Sequence, residues 1–185
     1  MKKILILSII LLFCFCTKNE ETQIEPKDVV DLLPLDGEVS GWSRSSATEI
    51  AENASQLWSL INGEGQVYID NGFVKCAFQT YSGDISGPLD LRLRAWDMGD
   101  TANAKAIYDE LASGSEIPWT NNNAGVEARY ELIPGIVVDY YELEFWEDKF
   151  FIWMQIDNDT QAGLDVAQLF ALNISTAIND TISSE

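Results

Sequence analysis

The apolar residues of this chain fall into two rhythms, one at helical spacing and one of period two. Ile50, Ala54, Leu57, Trp58 and Ile61 recur at helical spacing behind the capping-box sequence Ser46-Ala47-Thr48-Glu49, and Asn62-Gly63 offers a left-handed stop. A first helix is predicted there. Residues 67–69 fit either a further helical turn or a short strand. After the turn signal Asn71-Gly72, Val74, Cys76, Phe78 and Thr80 alternate with Lys75, Ala77, Gln79 and Tyr81. Beyond a glycine-rich connection, Leu89, Leu91, Leu93 and Ala95 alternate with Asp90, Arg92, Arg94 and Trp96. These two strands are expected to pair antiparallel. Asp97-Met98-Gly99-Asp100 then closes the strand and caps a second helix, with Ala104, Ile107, Tyr108 and Leu111 on one stripe and an end near Gly114. Three extended runs, 126–133, 136–146 and 150–156, are separated by Pro134-Gly135 and by Glu147-Asp148-Lys149 and read as a meander. The last helix starts near Thr160, capped by Asp159, and carries Ala167, Phe170, Ala171, Ile174, Ala177 and Ile178 on one side.

That order, α-β-β-α-β-β-β-α, lacks regular strand-helix-strand alternation, so the expected class is α+β: an antiparallel sheet of about five strands with helices on one face. The covered face is predicted to hold Val74, Cys76, Phe78, Leu91, Leu93, Ala128, Tyr130, Leu132, Tyr141, Leu143 and Phe145. Lys75, Gln79, Arg92, Arg94, Glu127, Arg129, Glu131, Glu142 and Glu144 then line the opposite, wetted face.

Upstream, Met1-Lys2-Lys3 followed by apolar residues 4–13 has the make-up of an export signal and is too short to span a bilayer. Cys14 and Cys16 stand where that run stops and polar residues begin. Residues 1–16 are therefore read as a lipoprotein-type signal with Cys16 as the acylated residue and Cys14 as the alternative. Phe15 occupies the place where a lipobox carries a small residue, which leaves ordinary cleavage, or retention of the segment as an anchor, as competing readings. Residues 17–37 are polar and acidic and read as a flexible tether, with a single domain over 38–182. The expected location is outside the cytoplasm, lipid-anchored in the cell envelope.

The net charge of −19 becomes −21 once Lys2 and Lys3 leave with the signal, which argues against nucleic-acid partners. The chain has no histidine, so Ser-His-Asp and Cys-His mechanisms and His-ligated zinc are excluded. Cys76, the one cysteine beyond the signal, falls on an apolar strand face and reads as an inert core residue. Asp157-Asn158-Asp159 with Gln161 begins like a calcium loop, but Ala162 stands where glycine is needed and Gln168 where the bidentate glutamate belongs. No metal or cofactor is expected.

Two places remain for chemistry. Glu142 and Glu144 lie two apart on one strand, about 6.6 Å between backbones, as a carboxylate pair of the glycosidase kind. Arg92, Arg94 and Arg129 on neighbouring strands give a plainer explanation, a lattice of surface ion pairs. The loop with Trp119, Asn121, Asn122 and Asn123 suits contact with a carbohydrate or peptide, or else Trp119 folds back over the sheet edge.

The run Leu57-Trp58-Ser59-Leu60-Ile61-Asn62-Gly63 and the run Trp96-Asp97-Met98-Gly99, with Gly41-Trp42, Tyr68, Gly72-Phe73 and Phe145-Trp146, resemble an uncharacterised bacterial family of exported and lipoprotein domains. The departure is Glu64-Gly65, where such relatives carry small helix formers. The resemblance implies no activity, cofactor or catalytic residue. The expected function is a non-catalytic envelope binding or accessory protein, with membrane contact through the lipid and an envelope protein or small ligand as partner. The alternatives are a carboxylate-dependent enzyme acting on glycans and a protein-interaction module for envelope assembly. A concave site with sheltered carboxylates speaks for the enzyme; full exposure of Glu142 and Glu144 on a flat face speaks against it.

Overall fold

A computed structural model describes residues 27–63 and 65–180. The export signal with Cys14 and Cys16, residues 17–26 of the expected tether and residues 181–182 lie outside the described residues. The fold begins earlier than the hydropathy pattern suggests. Val29–Leu32 form a 3-10 turn capped by Asp28, and Val29, Leu32 and Leu33 are buried. The expected tether through residue 37 is thus corrected: its last ten residues belong to the domain, because three apolar side chains there are enough to fill a gap beside the sheet.

The strands are β1 (Ser43–Arg44), β2 (Glu49–Ala51), β3 (Lys75–Asp84), β4 (Pro88–Asp97), β5 (Ile117–Pro118), β6 (Glu127–Ile133), β7 (Tyr140–Glu147) and β8 (Phe150–Ile156). The helices are α1 (Ala54–Ile61), α2 (Gly65–Asp70), α3 (Thr101–Glu110) and α4 (Gln161–Asn179). The sheet runs β1-β3-β4-β8-β7-β6-β5 with β2 also on β3, and every pair is antiparallel. The α+β class holds with eight strands in place of about five. The three additional strands, β1, β2 and β5, are two or three residues long, too short to display a period.

Several elements differ from the pattern reading for local reasons. Glu49–Ala51 pairs with β3 as β2, so the first helix starts only at Ala54, capped by the Asn53 side chain. Asn62 is left-handed at φ 45° and stops the helix as expected. Trp58, expected in the core, is 49% exposed, while Leu57 and Ile61 are buried. Residues 136–139 belong to the β6–β7 connection rather than to a strand, closed by the Gly135 N–H donating to Asp139 at 3.1 Å. The cap of α4 is Thr160.

The larger correction concerns the faces. In the observed register Ala77 stands beside Ala95, Ile152, Phe145 and Ala128, whereas Cys76 and Phe78 share their side with Trp96 and Arg94. The alternation in β3 is therefore assigned one residue out of phase by sequence, because Cys76 and Ala77 are both fully buried and hydrophobicity does not tell one side from the other. Helices also cover both faces, not one. On the first face α4 and the 3-10 turn bury Leu91, Leu93, Leu143, Phe145, Met154 and Phe170. On the second, α1, α2 and α3 bury Cys76, Trp96, Met98, Trp146 and Phe151. Tyr68 stacks on Trp96 at 3.8 Å and 4° there. None of the described helices is long and apolar enough to cross a membrane.

Candidate functional site

The second-face helices reach only one end of the sheet. Their cluster is centred on the row Cys76, Trp96, Phe151 and Trp146; in the next row Phe78, Arg94, Trp153 and Glu144 are half-buried and Arg129 is buried. In the row after it, Arg92 is exposed and Thr80, Gln155, Glu142 and Glu131 are half-buried. Half of this face is consequently open. Lys75 binds Asp28 at 2.7 Å and the Lys27 ammonium donates to the Ala177 carbonyl, so the chain enters at the covered end, and the open half lies at the other. The β6–β7 connection is at that far end too, with Ile136 105% and Val137 96% exposed.

Within the open half, a cleft of about 110 Å³ is lined by Glu116, Arg129, Glu131, Glu142 and Glu144 together with Tyr130 and Ser113. Arg129 is its pivot. The guanidinium lies 4.1 Å from the Tyr108 ring centre, donates twice to Glu144 at 2.8 and 2.5 Å, and approaches Glu116 at 3.7 Å. One buried cation between two carboxylates does not hold both alike. Burial pushes Glu144 up to about 7 against the pull of Arg129. Burial also opposes ionisation of Glu116, but backbone N–H groups, those of Ser113 and Gly114 among them, and Arg129 outweigh it and hold Glu116 below the usual range. Glu142 is raised, by burial first, although the Trp153 indole N–H donates to it and Arg94 lies near.

Glu142 and Glu144 are therefore half-sheltered in a cleft, not fully exposed on a flat surface. The expected ion-pair lattice is present in part: Arg129 pairs with Glu144 and Arg92 with Asp157 at 2.6 Å. Arg94 instead lies between two rings, 4.5 Å from Trp153 and 5.1 Å from Phe78. The alternating charges signal this face in the sequence, whereas Tyr108 and Glu116 come from a helix and a loop and carry no local signature of it.

The Trp119 loop is separate from this cleft. Trp119 packs against the first-face core, with its indole N–H on the Asn121 carbonyl at 2.8 Å, the folded-back arrangement. Asn121 and Asn122 are exposed, and Asn123 donates to the carbonyls of Ala124 and Gly125. Trp119 and Asn123 still border a shallow groove with Tyr108 and Val126. Cys76 is buried in the second-face core, and desolvation pushes its thiol up to about 12, which leaves it a thiol at neutral pH. Among the described residues no group of three or more Cys, Asp or Glu side chains is placed to hold a metal ion.

No protein-family model matches the chain, and no curated protein matches it. Among solved structures it is similar to the extracellular domain of PknH from Mycobacterium tuberculosis. The likeness has a TM-score of 0.56 at 12% identity and covers 84% of this chain and 98% of that one. At that identity the likeness is one of fold.

Proposed function

We propose that this chain is a non-catalytic binding or accessory protein of the bacterial envelope, exported by its leader and held through a lipid on Cys16. The observation that carries this reading is the half-open second face: its sheltered polar groups gather at the end away from the point where the tether enters. On a tethered protein that end points outward. The fold shared with a domain described as extracellular supports export, and the exposed Ile136 and Val137 at the same end favour a protein partner there. Mass spectrometry of the mature N-terminus tests the anchor. Acyl-modified Cys16 is expected; a free Thr17 or an intact Met1 refutes it.

A second reading is favoured by one observation, the split between Glu144, raised to about 7, and Glu116, lowered, around Arg129. Divergent carboxyls in a cleft are what acid-base chemistry on a glycan uses. Product analysis after incubation with envelope oligosaccharides separates the two. The binding reading expects no cleavage by the native protein, and cleavage lost in Glu144→Gln establishes the enzyme.

A further inference from the structure

On the open half-face one cation, Arg94, and two neighbouring carboxylates, Glu142 and Glu131, are left without an ion pair among the described residues. Arg94 on β4 makes no hydrogen bond or ion pair among the described residues and is held only by the Phe78 and Trp153 rings. Glu142 on β7 makes no ion pair there either, and its carboxylate accepts only from the Trp153 indole N–H. Of the other charges of these rows, Arg92 pairs with Asp157 and Arg129 with Glu144, while Glu131, opposite Glu142, accepts only from the Ser113 hydroxyl at 2.8 Å. β8 separates β4 from β7, and Glu142 stands one row beyond Arg94, level with Gln155 rather than Trp153, so the backbones of Arg94 and Glu142 are two strand spacings and two residues apart, about 12 Å. Trp153 lies on that intervening strand and touches both.

We infer that this face binds a short zwitterionic peptide, its ammonium at Glu142 in the cleft and its carboxylate at Arg94, with the backbone crossing Trp153. The assignment rests on the binding reading above and gives it a ligand class. Three to four extended residues span about 10–13 Å, which brackets that separation. The 110 Å³ cleft beside Glu142 has room for an amino group and one small residue, and Glu131 adds negative charge around it. At the other end a guanidinium stacked on indole keeps its N–H edge free for a carboxylate. A dianionic ligand is disfavoured by Glu142 and Glu144, and a dication by Arg94.

Calorimetry with trialanine, N-acetyl-trialanine and trialanine amide, each against the full domain, tests the inference. Capping either end of the peptide is expected to weaken binding at least about tenfold. In Arg94→Gln the acid and the amide then bind alike, and in Glu142→Gln the free and the acetylated amine bind alike; circular dichroism verifies that both variants are folded. Capping without effect, or discrimination that survives in the variants, overturns the inference. If no peptide binds while a neutral disaccharide shifts the Trp153 indole resonance, the zwitterionic class is overturned and the binding reading stands. If no ligand perturbs Trp153, both fall.

Discussion

Gly83 lies flat against the indole of Trp42: a Cβ on Gly83 would fall 2.4 Å from a ring carbon. The missing side chain lets Trp42 sit over the end of β3 and meet Phe170 of α4 edge-on at 5.7 Å. Gly83→Ala is expected to cost about 1–3 kcal/mol through overpacking. Urea denaturation measures it; an unchanged midpoint shows that Trp42 moves aside freely.

Leu32 precedes the first regular strand by eleven positions, yet it is 1% exposed in the main core. Leu32→Ala is expected to lower stability by about 2–5 kcal/mol, the cost of a cavity in packed surroundings. A loss below about 0.5 kcal/mol would return the segment to the tether.

These two positions show what the sequence displays and what it hides. β4 and α4 are legible because Leu89, Leu91, Leu93 and Ala95 alternate with polar residues and Phe170, Ala171, Ile174 and Ile178 repeat at helical spacing. The 3-10 turn is invisible, since four residues carry no period. β2 is hidden for another reason: Glu49 completes a capping-box sequence, but pairing of Glu49–Ala51 with β3 overrides it. Half of the site was legible as well. Glu142, Glu144, Arg94 and Arg129 follow from alternation on paired strands, whereas the sheltering that changes their chemistry comes from Tyr108 and Glu116, distant in sequence.

The raised pKa of Glu144 makes stability depend on pH with a definite sign. The folded state favours the protonated form, so this contribution is complete below the ordinary value of 4.5 and is lost as pH rises through about 7. Glu144→Gln imitates the neutral acid at every pH and leaves Arg129 in place. From pH 5 to 8 the variant is expected to gain on the native protein by on the order of 2 kcal/mol in unfolding free energy. A difference that stays flat over that range means that Arg129 keeps Glu144 ionised.

Ile136 and Val137 contribute nothing to the core, being almost wholly exposed. Replacing both by aspartate is expected to leave thermal stability within about 0.5 kcal/mol of the native value. A larger loss would place the tip against the body of the domain. Retained stability with lost association in envelope preparations would mark it as the contact for a protein partner.

The central claim is that the open half of the second face is where this protein meets its ligand. Chemical-shift mapping of the labelled domain against a panel of small amines, carboxylates, short peptides and neutral sugars tests it most directly. Perturbations are expected to converge on Arg94, Trp153, Glu142 and Arg129. Shifts confined to the Trp119 loop, or to the groove between the 3-10 turn and α4, would contradict it.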